Sequence, residues 1–219
     1  MKRILEPEVM DTREEAEAYD AMDHSAVNAA FVESVVELGA SEGHFLDLGT
    51  GPAQIPIFLA QSCPKIRITG IDLSVNMLAL GERHVAEAGL ADRIALECVD
   101  AKNLPYPDQS FDGVISNSII HHLPDPMAAF QEISRVIRPD GLILIRDLMR
   151  PDTPEAAQAL VDRYAADDTP YQKKLFYDSF LAALTIPEIE AMLVQTNLTN
   201  AIVVQSSDRH WSVERSIAE

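Results

Sequence analysis

The most constraining feature of this sequence is the alternation of short apolar segments with helical patterns between residues 43 and 150. Five segments rich in aliphatic and β-branched residues have the length of buried strands, at 45–48, 66–71, 94–99, 113–116 and 142–145. Helical patterns separate most of them, and strands connected through helices pair in parallel with right-handed crossovers. The sequence therefore predicts an α/β fold with a doubly wound, mostly parallel sheet.

The segments on either side of this alternation follow other patterns. Residues 8–38 have the apolar spacing of helices, and residues 151–185 contain two helical patterns without a strand between them. Residues 186–219 hold one more helix and two β-rich runs whose polar connection fits an antiparallel hairpin. We therefore predict seven strands in one domain over residues 1–219. The helices of 8–38 and 151–185 are predicted to cover the substrate site of the 43–150 core.

The composition excludes several classes of protein. With 35 acidic and 17 basic side chains, the chain has a formal charge of −18, which would repel a nucleic-acid backbone. No apolar run reaches the roughly 18 residues of a spanning helix, and the start of the chain lacks the apolar stretch of a signal peptide. Two cysteines do not make a disulfide framework. These features predict a soluble cytoplasmic protein without nucleic-acid or membrane partners, and they leave its oligomeric state open.

A glycine-rich loop follows the first predicted strand and opens a helix. Residues 47–53 read DLGTGPA, and the two glycines allow a tight turn and a close approach of the backbone to a ligand. Free amides at the helix start favour an anionic group such as a carboxylate or a phosphate. Dinucleotide sites use the same device, but their fingerprint has glycine or alanine where this sequence has Gln54. The bulkier side chain disfavours NAD.

An acidic residue ends the second predicted strand. Asp72 follows Gly51 by 21 residues, which places its carboxylate where the ribose of a bound cofactor would lie. A carboxylate there can accept both ribose hydroxyls, and it serves NAD and other ribose-containing cofactors equally well. The alternative is that Asp72 only caps the next helix.

Three further motifs complete an ordered set. Residues 100–112 read DAKNLPYPDQSFD, residues 118–123 read SIIHHL and residues 135–141 read RVIRPDG. Together with the glycine loop and Asp72, they resemble the class I S-adenosylmethionine-dependent methyltransferases, in the small-molecule branch that includes ubiquinone and menaquinone C-methyltransferases. The resemblance covers about residues 43–150. It implies a Rossmann-like methyltransferase fold, S-adenosylmethionine (SAM) as cofactor, S-adenosylhomocysteine (SAH) as product and a small-molecule substrate.

The resemblance also implies roles for individual residues. Asp47 would orient the glycine loop and the ammonium end of the cofactor, Asp72 would hold the ribose, and Asp100 would accept from the adenine amino group. The backbone carbonyl of Asn117 would meet the methionine ammonium. The full implied cofactor set is Asp47, Gly49, Thr50, Gly51, Asp72, Leu73, Met77, Asp100, Ala101 and Asn117. One departure is Ala53, where the family often has a third glycine.

The fifth predicted strand leads to the candidate catalytic residue, Asp147. It stands at the carboxyl end of that strand, the edge at which open α/β sheets bind ligands. We expect its carboxylate to face the acceptor and either orient it or take its proton. The alternative is a surface ion pair with Arg146 or Arg150 where the chain leaves the sheet. The candidate substrate residues are Tyr19, His122, Arg150, Tyr171 and Tyr177, with helix packing as the alternative for the tyrosines.

Two adjacent histidines, His121 and His122, raise the question of a metal site. Neighbouring residues on an α-helix diverge by about 100°, so both side chains could not face one ion there. The sequence shows no clustered third ligand beside them. We therefore predict a packing role for at least one of the two histidines and no bound metal.

The expected chemistry is an in-line methyl transfer, in which the protein positions the nucleophile and excludes water. A base is needed only when the nucleophile arrives protonated. Three other functions stay open at this point: a NAD(P)-dependent reductase, a reaction on the same fold other than methyl transfer, and a non-catalytic cofactor-binding subunit.

Overall fold

The computed structural model describes residues 1–6, 12–198 and 200–217. The helices are α1 (Arg13–Asp20), α2 (Ser25–Glu37), α3 (Gln54–Ser62), α4 (Val75–Glu87), α5 (Pro126–Val136), α6 (Pro154–Tyr164), α7 (Pro170–Ala182) and α8 (Ile186–Gln195). The strands are β1 (Glu42–Leu48), β2 (Lys65–Asp72), β3 (Ile94–Cys98), β4 (Phe111–Asn117), β5 (Ile137–Leu148), β6 (Ile202–Gln205) and β7 (His210–Arg215). A 3₁₀ turn, Ile120–His122, follows β4. Parts of the predicted terminal segments, at 8–11, 199 and 218–219, lie outside the described residues.

A seven-stranded sheet in the order β3-β2-β1-β4-β5-β7-β6 forms the centre of the fold. The first five strands pair in parallel, and β7 and β6 add an antiparallel hairpin beside β5. The predicted doubly wound, mostly parallel sheet with a C-terminal hairpin is confirmed. The chain builds outward in one direction from β1 to β3 and in the other from β4 to β5. Ligands bind at such a switch point, outside the carboxyl ends of the strands.

The register brings the carboxyl ends of the central strands to one edge. Leu48 of β1 pairs with Ile71 of β2 and with Ser116 of β4, and Ser116 pairs in turn with Ile145 of β5. The residues that follow these positions therefore emerge side by side. The glycine loop, the acidic end of β2 and the turn after β4 thus border the same crevice.

Apolar side chains of the sheet pack against helices on both faces. Successive residues of a strand point to opposite faces. Phe45 of β1 therefore packs with residues of α2 and α3, whereas Leu46 packs with residues of α5 and α8. Both side chains are fully buried, and burying a side chain of this size contributes about 1.5–3 kcal/mol. Burial on both faces explains why these strands read as continuous apolar runs.

Two segments differ in detail from the sequence expectation. The helical region before residue 38 is broken between α1 and α2, where the carboxylate of Asp23 accepts from the amide and hydroxyl of Ser25. Such local bonds compete with helical backbone bonds. The fifth strand, predicted at 142–145, begins at Ile137, and a bulge absorbs the extra residues between the pairs with Phe111 and Gly113.

Residues 1–6 pack across α7 and the 3₁₀ turn, a placement that no motif in the sequence indicates. The amide of Ile4 donates to the carbonyl of Leu181 at 2.9 Å. The guanidinium of Arg3 donates to three backbone carbonyls, those of His121, Leu123 and Ala182. These bonds bring Glu6 beside the 3₁₀ turn. Within the described ranges, no helix combines the length and apolar character needed to cross a membrane.

Candidate cofactor and catalytic site

Gly49 and Gly51 shape the loop at the end of β1. Both adopt left-handed backbone conformations, with φ of 69° and 52°, which other residue types rarely adopt. The amides of Gly49 and Thr50 donate to the carbonyl of Ile71, which fixes the loop to β2. A Cβ atom on Gly49 would lie 2.7 Å from a methyl carbon of Ile119, whereas one on Gly51 would meet nothing within 4 Å. Gly51 therefore presents bare backbone to the crevice.

Asp72 ends β2 and is held by the loop opposite. Its Oδ2 accepts from the amide of Gly51 and its Oδ1 from the amide of Ser74, both at 2.9 Å. The side chain that caps α4 is Ser74, whose hydroxyl accepts from the amide of Met77 at 3.2 Å. The alternative that Asp72 serves only as a helix cap is therefore wrong. Burial raises the pKa of Asp72, and the amide hydrogen bonds act in the opposite direction. Each carboxylate oxygen can accept a further hydrogen bond, so two hydroxyls could still bind.

Asp47 and Thr50 present buried polar atoms at the site. Asp47 is 1% exposed, and neither its Oδ2 nor the hydroxyl of Thr50 has a hydrogen-bond partner among the described residues. Burial raises the pKa of Asp47 to about 7, and the neighbouring charge of Asp72 adds to the rise. A buried carboxylate oxygen without a donor makes the group costly to ionise. A ligand carrying an ammonium group would supply the missing donor and charge, so these residues fit the amino acid end of SAM.

Side chains that follow β2 and β3 form the other end of the pocket. Leu73, Met77 and Val99 provide apolar surface, and Asp100 stands just beyond the carboxyl end of β3. The side chain of Asp100 is 38% exposed and pairs with Lys102 at 3.0 Å. Apolar walls with an acceptor at their edge match a flat ring that carries an amino group, such as adenine.

One pocket brings together nine of the ten residues predicted to hold the cofactor. They are Gly49, Thr50, Gly51, Asp72, Leu73, Met77, Asp100, Ala101 and Asn117. The tenth, Asp47, is buried beside Thr50 and Asp72. Two of the predicted substrate residues, Tyr19 and His122, also line this pocket. Their binding roles stay predictions.

Sequence reasoning missed Asn28, which lines the pocket from α2. Its side-chain amide donates to Oε1 of Gln54 at 2.9 Å, and both residues border the crevice. Gln54, the residue that disfavours a dinucleotide site, thus ties α2 to the start of α3. The available signal was a polar residue on an apolar helix face, since Asn28 stands three and seven residues before the buried Phe31 and Val35.

The expectation that Asp147 faces the acceptor is wrong. The residue is fully buried, and its carboxylate accepts three hydrogen bonds. The donors are Nδ1 of His121 at 2.5 Å, the amide of His121 at 3.0 Å and the amide of Leu148 at 2.6 Å. The 3₁₀ turn packs over the end of β5 and provides the two donors of His121, whereas the amide of Leu148 belongs to β5 itself. Asp147 therefore holds a histidine, and it is neither an exposed base nor half of a surface ion pair.

Three predicted substrate residues lie away from the pocket. Arg150 is 7% exposed and donates to the carbonyl of Ala183 at 3.0 Å and to Glu188 at 2.6 Å. Its charge is thus satisfied within the fold. Tyr171 is 65% exposed at the start of α7, and Tyr177 packs against the apolar cluster beneath α6 and α7.

The two histidines stand close together on the 3₁₀ turn, with ring centroids 4.1 Å apart. Oε1 of Glu6 lies 3.4 Å from Nε2 of His121 and 3.3 Å from Nδ1 of His122. The two premises of the sequence argument, divergent side chains and no third ligand, are therefore wrong. The turn is not α-helical, and the third group comes from the far N-terminal end of the described chain.

Electrostatics couple His121 to both carboxylates. Burial alone would lower the pKa of His121, but the charges of Asp147 and Glu6 outweigh it and raise the pKa. Burial alone would raise the pKa of Asp147, but His121 and the two amides outweigh it and lower the pKa. The pair is thus a buried carboxylate that orients one imidazole and makes it more basic, next to the pocket that His122 lines.

Comparison with known proteins also indicates similarity to methyltransferases. Residues 46–145 match a family model described as a methyltransferase domain. The chain is 32% identical over 118 residues to 27-O-demethylrifamycin SV methyltransferase from Amycolatopsis mediterranei, covering 54% of this chain and 43% of that protein. It is 36% identical over 110 residues to demethylmenaquinone methyltransferase from Desulfitobacterium hafniense, covering 50% and 44%. The chain thus spans less than half the length of either relative.

The fold also has close counterparts among solved structures. A SAM-dependent methyltransferase from Aquifex aeolicus superposes with a TM-score of 0.69 at 18% identity, covering 94% of this chain and 99% of that one. At this identity the likeness shows a shared fold. With the five ordered motifs, the relatives and the family model that matches residues 46–145, it shows that this chain is similar to S-adenosylmethionine-dependent methyltransferases.

Proposed function

We propose that this chain transfers a methyl group from SAM to a hydroxyl group of a small molecule. The observation that carries the proposal is the buried Asp147–His121 pair beside a pocket that fits SAM. A hydroxyl is a weak nucleophile until it loses its proton, and a histidine held by a carboxylate can take that proton. The relative named 27-O-demethylrifamycin SV methyltransferase supports oxygen as the acceptor atom.

The pocket residues would hold SAM through complementary groups. Asp72 would accept from the ribose hydroxyls, Asp100 from the adenine amino group, and Asp47 together with the Asn117 carbonyl from the ammonium. The amides at the start of α3 favour the carboxylate of the cofactor. When bound, SAM supplies a methyl group activated by its sulfonium, which an in-line nucleophile can accept.

His121 would be the base and Asp147 its positioning residue. Because the Asp147 carboxylate accepts from Nδ1, the proton stays on Nδ1 and Nε2 keeps its lone pair. An acceptor hydroxyl must come within about 2.6–3.2 Å of Nε2, where Oε1 of Glu6 now lies at 3.4 Å. We therefore place the acceptor oxygen where the Glu6 carboxylate stands, so that the substrate displaces Glu6 when it binds.

The flanking segments would enclose the acceptor, and residues 1–219 would act as one domain. Tyr19 and Asn28 reach the pocket from the 8–38 segment. Helix α7, from the 151–185 segment, contacts the 3₁₀ turn that carries both histidines. These contacts support the predicted covering role of both segments.

The proposed partner is a small molecule in the cytoplasm, with no nucleic acid involved. A formal charge of −18 opposes binding of a phosphate backbone. Both cysteines, Cys63 and Cys98, are free thiols, which fits a reducing compartment. The NAD(P)-dependent reductase receives no support from the comparisons.

The test is mass spectrometry of reactions that contain the chain, SAM and matched pairs of alcohols or phenols and their deoxy analogues. We expect SAH to form one-to-one with an acceptor that has gained a methyl group, and the deoxy partner to stay unchanged. SAH without a methylated acceptor would support another use of the cofactor. Methylation of both members of each pair would contradict oxygen as the acceptor.

A further inference from the structure

Glu6, His121 and His122 form a cluster whose ligand-capable atoms all lie within 4.8 Å of one another. Oε1 of Glu6 is buried and has no hydrogen-bond partner among the described residues. The Glu6 side chain as a whole is only 10% exposed. The cluster therefore contains a buried carboxylate oxygen that is aimed between two imidazole nitrogens and bonded to neither.

The distances in this cluster fit a bridging cation better than direct hydrogen bonds. Charge-assisted N–H···O bonds are about 2.7–2.9 Å long, whereas Oε1 of Glu6 lies 3.4 Å from His121 and 3.3 Å from His122. Bonds of 2.0–2.1 Å from a tetrahedral zinc ion place its ligand atoms about 3.3–3.4 Å apart. Two edges of the cluster already have this length.

Asp147 completes the arrangement from behind His121. A histidine that binds a metal through one nitrogen almost always donates its other N–H to a carboxylate or carbonyl. Here Nδ1 of His121 donates to Asp147 at 2.5 Å, and Nε2 faces Glu6. The ring is thus held in the tautomer that a metal ligand requires.

The local charge also suits a dication. The charged groups that act on the cluster are the carboxylates of Glu6, Asp147 and Asp178 and the guanidinium of Arg3. With neutral histidines, three carboxylates against one guanidinium leave a formal charge of −2. Two imidazoles and one carboxylate are a ligand set typical of divalent transition metals, whereas Mg²⁺ prefers oxygen ligands.

We propose that Glu6, His121 and His122 bind a divalent transition-metal ion, with Asp147 orienting His121 from behind. Three protein ligands leave a tetrahedral ion one position for water or for an oxygen of a small molecule. The site shares Nε2 of His121 with the base of the proposed function. Metal binding and proton abstraction at that nitrogen therefore exclude each other.

The test is calorimetric titration of Zn²⁺ into the chelator-treated full chain, without SAM or acceptor. Every variant carries Cys98→Ser, which removes the exposed thiol as a competing ligand. We expect one equivalent to bind, and Glu6→Gln or His122→Gln to weaken binding by at least about 100-fold. Asp147→Asn should weaken it about 10- to 100-fold, as loss of such an outer partner does. Mg²⁺ should give no binding.

The matched control is His84→Gln. Nε2 of His84 lies 3.3 Å from a carboxylate oxygen of Asp20, so this pair repeats the histidine–carboxylate contact without a second histidine. The control should bind Zn²⁺ as tightly as its parent. Equal loss in the control, or full affinity in both Glu6→Gln and His122→Gln, would overturn the proposal. The visible absorption of bound Co²⁺ and the unfolding temperature of each metal-free variant check the geometry and the fold.

A second readout separates this inference from the proposed function. If His121 is the base, Zn²⁺ should lower methyl transfer in the parent chain, and Glu6→Gln should relieve that inhibition. Calorimetric binding without inhibition would overturn the base at His121 and leave the metal site standing. Inhibition without binding at the cluster would overturn the metal site.

Discussion

The cofactor half and the acceptor half of the proposed site are built in different ways. The cofactor half uses the loop after β1, the end of β2 and the segment after β3, and Gly51 presents bare backbone there. The acceptor half combines a 3₁₀ turn, the end of β5 and the first six residues of the chain. Some buried polar atoms of the first half lack hydrogen-bond partners among the described residues, whereas those of the second half mostly form hydrogen bonds with one another.

Because of this difference, residue changes should affect the two halves in different ways. The glycine loop and Asp72 would bind parts of a cofactor that is the same for every acceptor, so their geometry can stay fixed. The second half depends on side chains that meet through packing, and a change in any of the three segments alters the acceptor space. Variants in the acceptor half should therefore lower kcat and leave cofactor affinity intact. Variants in the cofactor half should lower cofactor affinity and leave kcat intact.

The largest expected effect is on turnover, from Asp147→Asn. Loss of the carboxylate removes the group that fixes the tautomer and orientation of His121. We expect kcat to fall about 10²- to 10⁴-fold, with SAH affinity nearly unchanged by calorimetry. Asp140→Asn, an exposed position on the same strand, is the control. Equal kcat for wild type and Asp147→Asn would contradict the positioning role of Asp147, and with it the expected difference between the two halves.

The next effect is on cofactor affinity, from Asp72→Ala. Two charged hydrogen bonds to ribose hydroxyls are worth roughly 2–4 kcal/mol, which corresponds to about 30- to 700-fold weaker SAH binding. At saturating SAM the variant should keep most of its kcat. Asp92→Ala, at an exposed position before β3, should bind SAH normally. A folded Asp72→Ala chain with normal affinity would show that the ribose binds elsewhere.

Asp47 links the cofactor half to pH. Its pKa of about 7 in the fold lies above the ordinary value of 3.8, so the folded chain holds this proton more tightly than the unfolded chain. The resulting stabilisation is complete below about pH 4 and is lost as the pH rises to about 7. From pH 5 to pH 8, the free wild-type chain should lose about 2.5 kcal/mol more unfolding free energy than Asp47→Asn. The unfolding free energies of the two proteins would be measured with urea at each pH. An equal change with pH in both proteins would contradict this value.

The smallest effect is expected from Tyr171→Ala. The side chain is 65% exposed and lies outside the pocket, so stability should change by at most about 0.5 kcal/mol. The KM for the acceptor should stay within about twofold. A large rise in KM would indicate that Tyr171 contacts the substrate and that the acceptor half includes part of α7.

The cofactor half could be predicted from the sequence because its geometry is local. Two glycines after an apolar strand and an acidic residue at the end of the next strand fix the loop, whatever the rest of the chain does. Asp47 stands in the same motif, and its burial follows from its place in a central strand. The fold itself followed from the alternation of strands and helices.

The acceptor half could not be predicted in the same way, because its contacts depend on how distant segments pack. The partner of Asp147 stands 26 residues earlier, on a turn whose path no motif specifies. Glu6 reaches that turn only because residues 1–6 cross α7. Arg150 finds Glu188 on α8 for the same reason. The strand pattern predicted the correct sheet edge for Asp147 but the wrong interaction partner.

The central claim is that His121 removes a proton from the acceptor, and acceptors of graded acidity test it most directly. Single-turnover methyl transfer would be measured at saturating SAM for wild type and His121→Gln. The account predicts a loss of about 10²-fold or more for acceptors that arrive protonated. For phenols already ionised at the assay pH, the loss should fall below about tenfold, because no proton remains to be removed. An equal loss across the whole series would contradict a base at His121.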